Sequence, residues 1–134
     1  MKKILVVLIS TLLITGCGIK TQDNVKEQSK ENVKAITEKE VIKDQVVDGL
    51  NLTNTSLTLT NGVWKLVTQV TNNTGSDYNL DKFEIIIKDE KGQEIKRLTG
   101  YVGNTIANGS TKTINTSTDF DLSKASKVEY EVKK

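Results

Sequence analysis

The only cysteine of the chain, Cys17, stands at the end of an apolar run and directly after small residues. Ile14, Thr15 and Gly16 precede it. A lone cysteine cannot form a disulfide within the chain, so its position requires another explanation. Cys17 is therefore the first candidate for covalent chemistry in this sequence.

The run that ends at Cys17 resembles the lipobox of bacterial lipoproteins, in which an aliphatic residue, a small residue and Gly or Ala precede the cysteine. The resemblance implies cleavage by a signal peptidase between Gly16 and Cys17, because small residues leave that bond accessible. It also implies a diacylglyceryl group joined to the Cys17 thiol through a thioether, and a fatty acid such as palmitate on the freed amine. Two or more acyl chains give lasting attachment, whereas one chain holds only marginally. The expected location is the extracytoplasmic face of the cell membrane, with the lipid as the anchor.

Residues 1–16 have the pattern of a lipoprotein signal peptide. Lys2 and Lys3 form a positive start, and an apolar run from Ile4 to Ile14 follows. The run is too short for a membrane-spanning helix of about 20 residues, but it suits a signal-peptide helix. The alternative, a buried core helix, fits the two terminal lysines less well.

Other residues with catalytic potential are sparse. The chain has no histidine, which removes the commonest general base and a common zinc ligand. A serine–lysine pair remains conceivable at Ser123-Lys124 or Ser126-Lys127, although sequence neighbours on a strand point to opposite faces.

Paired acids occur at Asp119 and Asp121 and at Glu129 and Glu131, as they often do on surface strands. Calcium would need two loops that bring Asp77, Asp81, Asp119 and Asp121 together, and no calcium-loop motif is present. We therefore expect no enzyme activity, no metal site and no cofactor.

The charge balance also limits the classes of binding partner that we expect. The first sixteen residues hold two lysines and no acid, so the remaining chain carries 17 basic and 17 acidic residues. A nucleic-acid-binding protein normally shows a basic field. We expect no nucleic-acid partner, and we expect contact with the membrane only through the lipid.

Residues 17–45 predict a charged tether that carries the lipidated cysteine. Its lysines and acids interleave, it has no aromatic residue, and its few apolar residues are too sparse to offset the entropy of ordering. A spacer is the favoured interpretation, and a helix that contacts a partner is the alternative.

Residues 46–134 predict one all-β domain. Strands are expected from Leu50 to Thr60 and from Val63 to Asn72, joined by Asn61-Gly62, the residue pair favoured in two-residue hairpins. A further strand is expected where Phe83, Ile85 and Ile87 share one face, with a turn at Gly92. Three more are expected at 95–102, 112–120 and 126–133. The fold class predicted is a small Ig-like β-sandwich of about six to seven antiparallel strands, preceded by a signal-peptide helix and a flexible charged linker. Its core is expected to contain the aromatic residues Trp64, Phe83, Tyr101 and Phe120.

Four segments resemble the FxLYD domain: the strand end Val70-Thr71-Asn72-Asn73-Thr74, the run 83–92, the pair Tyr101-Val102 and the turn 106–110. The resemblance covers about residues 60–132. It implies an extracytoplasmic β-sandwich, often carried by lipoproteins, without an established enzymatic activity. It transfers no functional residues.

The expected function is a non-catalytic binding or envelope-accessory module, monomeric and held at the membrane. Its partner would be another envelope protein or peptidoglycan, bound through a sheet face or through an edge strand such as 126–133. Alternatives are a purely structural or assembly lipoprotein and, least favoured, a small hydrolase. An exposed apolar patch would favour binding, an all-polar surface a structural role, and a deep pocket with perturbed carboxylates an enzyme.

Overall fold

Alternating apolar residues and glycine turns produce the antiparallel strands of this chain. The computed structural model describes residues 33–37 and 40–134. Within them the strands are β1 (Val33–Ile36), β2 (Gln45–Val47), β3 (Leu50–Thr60), β4 (Val63–Asn72), β5 (Tyr78–Asn79), β6 (Lys82–Lys88), β7 (Glu94–Tyr101), β8 (Thr105–Ile106), β9 (Thr111–Thr118) and β10 (Lys127–Val132).

The strands form two main sheets and one short pair. The large sheet has the order β1-β3-β4-β9, with β2 also paired to β3, and the small sheet has the order β10-β6-β7. Strands β5 and β8 form a separate two-stranded pair. All pairings are antiparallel. The fold is an all-β sandwich, as predicted, and none of the described residues belongs to a helix that could cross a membrane.

The predicted hairpin between β3 and β4 is confirmed. Asn61 and Gly62 have φ values of 50° and 83°, the positive values that a two-residue hairpin turn requires. Gly92, at the turn between β6 and β7, also has a positive φ of 79°. These turns fix the register of both hairpins, and therefore decide which side chains face inward.

A bulge interrupts β3 and reverses its side-chain alternation. The register shifts between Thr53 and Ser56, and Asn54 has a φ of 52°. Thr55 consequently points into the core, where its hydroxyl lies 3.0 Å from the Thr68 hydroxyl and 2.9 Å from that of Tyr130. This buried polar cluster links the two sheets.

The core contains two of the four aromatic side chains expected there. Trp64 and Phe83 are buried, but the side chains of Tyr101 and Phe120 are exposed, so that part of the prediction is wrong. Strand alternation places Gly100 inward and Tyr101 outward. A Cβ atom at Gly100 would come within 2.9 Å of the Phe83 ring, so Phe83 occupies the space that an inward side chain would fill.

Tyr130 takes the place of the missing aromatic residues. It is buried and packs edge-on against Phe83, with ring centroids 5.8 Å apart. Phe120 follows the end of β9 and lies beneath the Lys96 ammonium, 5.0 Å from its ring centroid. Leu122, which the sequence places in a polar loop, is fully buried.

The folded unit begins before the predicted boundary at residue 46. Val33–Ile36 pairs with the end of β3, and Val41 is fully buried in the core. Only alternate residues of a strand face inward, so in this short edge strand Ile36 alone can supply the apolar contact with the core. A helix would need several apolar residues on one face. Residues 1–32, 38 and 39, which hold the predicted signal peptide and most of the predicted tether, lie outside the described residues.

Candidate binding surface

The predicted lipidation site falls outside the part of the chain that the structure describes. Ile14, Thr15, Gly16 and Cys17 all precede Val33, the first described residue. Cleavage before Cys17 and lipidation of its thiol therefore stay predictions, and the search for a site on the folded unit has to rest on residues 33–37 and 40–134.

The Ser123 hydroxyl and the Lys127 ammonium, one from each serine–lysine candidate, already have carboxylate partners. The Ser123 hydroxyl donates to Asp121 at 3.0 Å, and the Ser123 amide donates to the same carboxylate at 2.9 Å. The Lys127 ammonium lies 2.9 Å from Glu129, and this hydrogen bond raises the pKa of Lys127. A raised pKa holds a lysine protonated, the opposite of what a general base requires.

The carboxylate candidates are bound to neighbouring groups. Hydrogen bonds from Lys88, and next from Lys127, lower the pKa of Glu129. Glu131 lies 2.9 Å from Arg97. The Ser123 backbone amide, and next its hydroxyl, lower the pKa of Asp121. A lowered pKa keeps a carboxylate ionised, whereas a general acid needs a raised one.

A tyrosine–aspartate pair lies at the turn between β2 and β3. The Tyr78 hydroxyl donates to Asp48, and the Lys134 ammonium lies 3.0 Å from the same carboxylate. Burial, and next the hydrogen bond to Asp48, raise the pKa of Tyr78 to about 12. Tyr78 therefore stays protonated and donates to Asp48, and the Asp48 carboxylate holds both Tyr78 and Lys134 at this turn.

A polar cleft of about 500 Å³ lies between the β6–β7 turn and the loop before β10. Its acids and lysines have mixed charge. Asp89, which lines it, accepts hydrogen bonds at 2.9 Å from the amides of Lys91 and Gln93. This carboxylate therefore stabilises its own turn. Among residues 33–37 and 40–134, no three acidic or cysteine side chains converge as metal ligands.

Two side chains of the large sheet donate hydrogen bonds to backbone carbonyls in β10 and just after β7. On the β10 side, the Gln45 amide donates to the carbonyl of Val128 at 2.7 Å. On the β7 side, the Lys112 ammonium lies 3.1 Å from the carbonyl of Val102 and 3.2 Å from that of Gly103. Strand β10 is the outer strand of its sheet, as predicted, but Gln45 already occupies part of the edge that a partner strand would need.

The outer face of the large sheet is almost free of charge. We call it the uncharged face and define it by the seventeen outward side chains of the described strands β1, β2, β3, β4 and β9. They are Val33, Ala35, Val46, Asn51, Thr53, Ser56, Thr58, Thr60, Val63, Lys65, Val67, Gln69, Thr71, Thr111, Thr113, Asn115 and Ser117. Lys65 is the only charged one, although 27% of the whole chain is charged.

Strand register arranges these side chains in rows across the sheet. One row runs Ala35, Thr58, Lys65 and Ser117, because each is the direct cross-strand partner of the next. From strand length and spacing, the face measures roughly 35 Å by 14 Å. It is polar rather than apolar, because its three most exposed valines lie in separate positions.

Hydrogen bonds within the uncharged face hold some of its side chains in place. The hydroxyls of Thr71 and Thr111 lie 2.7 Å apart on neighbouring strands. At the bulge, the Asn54 amide donates to the Gln69 side-chain carbonyl at 2.6 Å. These contacts reduce the rotamer freedom that a ligand would otherwise have to restrict.

A shallow groove of about 380 Å³ lies at one end of the uncharged face. Thr60, Val63 and Lys65 line one wall, and Asn115 and Ser117 line the other. Lys65 has no carboxylate within 4 Å in the described part of the chain, since no ion pair there includes it. The groove therefore offers hydroxyls, one amide and a single ammonium.

The outer face of the small sheet has the opposite character. We call it the charged face and define it by the eleven outward side chains of β6, β7 and β10, eight of which are charged. They are Lys82, Glu84, Ile86, Lys88, Glu94, Arg97, Thr99, Tyr101, Lys127, Glu129 and Glu131. Arg97 lies 2.9 Å from both Glu94 and Glu131, and Lys88 lies 2.6 Å from Glu129.

The residues that carry the FxLYD resemblance have a structural role here. The buried Asn72 side chain donates to the carbonyls of Ser76 and Ile106 at 2.7 and 2.8 Å. It accepts hydrogen bonds from the amide and hydroxyl of Thr74 at 3.0 and 2.8 Å. Asn72 thereby ties the loop after β4 to the turn before β9, which supports the end of the uncharged face.

Sequence reasoning considered the inward residues of β4 and β9 and missed the outward ones. The signal was present in the alternate residues Thr111, Thr113, Asn115 and Ser117, none of which is charged or large. No family model, curated protein or solved structure matches the chain.

Proposed function

We propose that the chain is a lipid-anchored extracytoplasmic module that binds a component of the cell envelope through the uncharged face without catalysing a reaction. Diacylglyceryl on Cys17 would hold it at the membrane, as its resemblance to the lipobox implies. The similarity to FxLYD domains, which are often carried by lipoproteins, supports the same location.

The single observation that carries the proposal is the lack of charge on the uncharged face. Removing an ionic side chain from water costs far more than removing a hydroxyl or amide that finds a new hydrogen bond. Within the described strands, a partner that covered this face would have one ammonium to desolvate. The same partner on the charged face would have eight charged groups to desolvate.

The anchor is tested by Cys17→Ser. We expect the variant to leave the membrane fraction while its circular dichroism spectrum stays that of the folded β-sandwich, because the substitution changes none of residues 33–37 and 40–134, which hold the described strands. Unchanged processing of the variant, together with unchanged fractionation with lipid, would contradict the anchor.

The contact surface is tested by photo-crosslinking on intact cells. A photoreactive residue at Thr113, in the uncharged face, is expected to capture an envelope component, and one at Thr99, in the charged face, serves as the matched control. Capture at Thr99 alone would move the binding surface to the small sheet. Capture at neither position would favour a purely structural lipoprotein.

A further inference from the structure

The uncharged face has the chemistry of a site for an uncharged polymer. We propose that it binds a neutral polysaccharide that presents hydroxyl and acetamido groups. This inference rests on the proposed function and adds the class of ligand.

The lack of positive charge on the uncharged face argues against polyanionic ligands such as nucleic acid and anionic lipid. Proteins that bind nucleic acid gain affinity from each phosphate that a lysine or arginine neutralises, and each basic residue near an anionic lipid surface contributes about 1 kcal/mol. The uncharged face has Lys65 as its one cation over all the described strands that form it. It therefore complements a ligand with little or no charge.

The side-chain types argue against a protein partner. Protein interfaces depend on a few large anchors, mainly Trp, Tyr and Arg, inserted into pockets. None of these residue types occurs among the seventeen side chains, and the largest apolar members are single valines such as Val63 and Val67. A globular partner would find few groups here for tight packing.

The hydrogen-bonding groups match those of a sugar chain. Thr and Ser hydroxyls both donate and accept, and Asn and Gln carry separate donors and acceptors. Asn51, Gln69 and Asn115 supply the amides, while rows of hydroxyls surround them. These groups can pair with sugar hydroxyls and acetamido groups, and the exposed methyl groups of Val63 and Val67 can contact the C–H faces of the rings.

The groove provides a starting point for the chain of sugars. Its volume of about 380 Å³ lies within the range of small-molecule sites, and it opens onto the rest of the face beside Val67. Thr71 and Thr111, already 2.7 Å apart at the far end of β4 and β9, extend the hydrogen-bonding surface along both strands. A shallow surface of this kind holds a polymer through many weak contacts in parallel.

The test is cosedimentation of the purified full chain, in detergent, with amorphous chitin and with peptidoglycan stripped of anionic polymers. We expect retention on at least one of these probes, with little change between about 50 mM and about 500 mM salt, because screening weakens only charged contacts. Thr113→Glu and Val67→Glu should each lower retention roughly ten-fold, because each places a charge where the ligand must exclude water.

Two variants serve as controls. Thr99→Glu adds the same charge to the small sheet and should retain full binding, and circular dichroism establishes that each variant is folded. Lys82→Gln removes a charge from the small sheet and should change retention by no more than about two-fold, because its side chain lies outside the uncharged face. Loss of retention in Lys82→Gln, equal loss in Thr99→Glu, or no sedimentation of the unmodified chain would each overturn the proposal.

The failure of this inference is distinguishable from the failure of the proposed function. If the unmodified chain ignores both polysaccharides but photo-crosslinking at Thr113 captures an envelope protein, the binding surface stands and the ligand class is wrong. If neither experiment detects a partner at the uncharged face, both proposals fall.

Discussion

The two outer faces of the sandwich are built on the same kind of antiparallel sheet, yet they place opposite chemistry in contact with water. The charged face carries opposed charges in ion pairs, such as Arg97 with Glu94 and Glu131. The uncharged face carries hydroxyls, amides and single valines around Lys65. The comparison shows that strand alternation determines which side chains point outward. It does not determine their type, so residues on an outer face can be selected for function.

The charged face also covers an apolar residue, which the uncharged face does not. Ile86 points outward from the central strand β6, opposite Glu129 on one side and Arg97 on the other, and it is buried. Its half-buried counterpart Val67 lies on the central part of the uncharged face. The long charged side chains thus shield part of their own sheet from water.

The largest expected effect follows from this difference. Ile86→Ala should lower the free energy of unfolding by about 2–4 kcal/mol, because it removes buried methyl groups and leaves a cavity. Val67→Ala should cost about 1 kcal/mol or less, because its side chain is partly in water already. Urea unfolding measures both. Equal losses would mean that the uncharged face also buries an apolar layer.

A smaller effect is expected from the ion pairs. Arg97→Gln should lower Tm modestly at low salt, and the difference from the unmodified protein should vanish near 1 M salt, because exposed ion pairs are weak and screened. Lys65→Gln is the control on the uncharged face, and its Tm should show no such salt dependence. If Arg97→Gln lowered Tm equally at low and high salt, the Arg97 side chain would stabilise the fold through packing and not through its ion pairs.

The smallest effect is expected from acid. Hydrogen bonds from Arg97 lower the pKa of Glu94, and those from Lys88 and Lys127 lower that of Glu129, below their ordinary value of 4.5. Carboxylates with a lowered pKa in the folded state stabilise it above the ordinary value, and this stabilisation is lost as pH falls through the folded-state pKa.

Glu94→Gln with Glu129→Gln should therefore reduce the acid dependence of unfolding measured by circular dichroism. The double variant Thr58→Ala with Thr113→Ala on the uncharged face is the control, and its stability should follow the same pH profile as the unmodified protein. An unchanged profile in the glutamine variant would show that these ion pairs do not persist in solution.

Much of the local structure could be predicted because it depends on neighbours in sequence. The alternation in Val63–Asn72 places Trp64, Leu66, Thr68 and Val70 on one face of a strand, and all four are buried. The prediction for Tyr101 was wrong because Leu98 and Tyr101 lie on opposite faces of the same strand, so only one of these two apolar residues can face the core. The close contact of Gly100 with Phe83, which is distant in sequence, decided that choice.

The candidate surface could be predicted only in part. The uncharged alternate residues of β4 and β9 are visible in the sequence, but nothing local indicates that these two strands are neighbours. Their pairing places Lys65 beside Ser117 and Val67 beside Asn115, across about fifty residues of chain. The contribution of Val33 and Ala35 to this face could not be predicted either, because a four-residue edge strand is too short to show a recognisable alternation of apolar and polar residues.

The sequence by itself determined the all-β class, the hairpin turns and the inward residues of the long strands, since each follows from backbone preferences and alternation within a few residues. Only the tertiary structure decided the order of the strands, the bulge at Asn54 that turns Thr55 inward, and the joining of five strands into one uncharged face. Pairing between distant strands uses backbone hydrogen bonds that are the same for almost every residue, so the partner is selected by how the whole core packs.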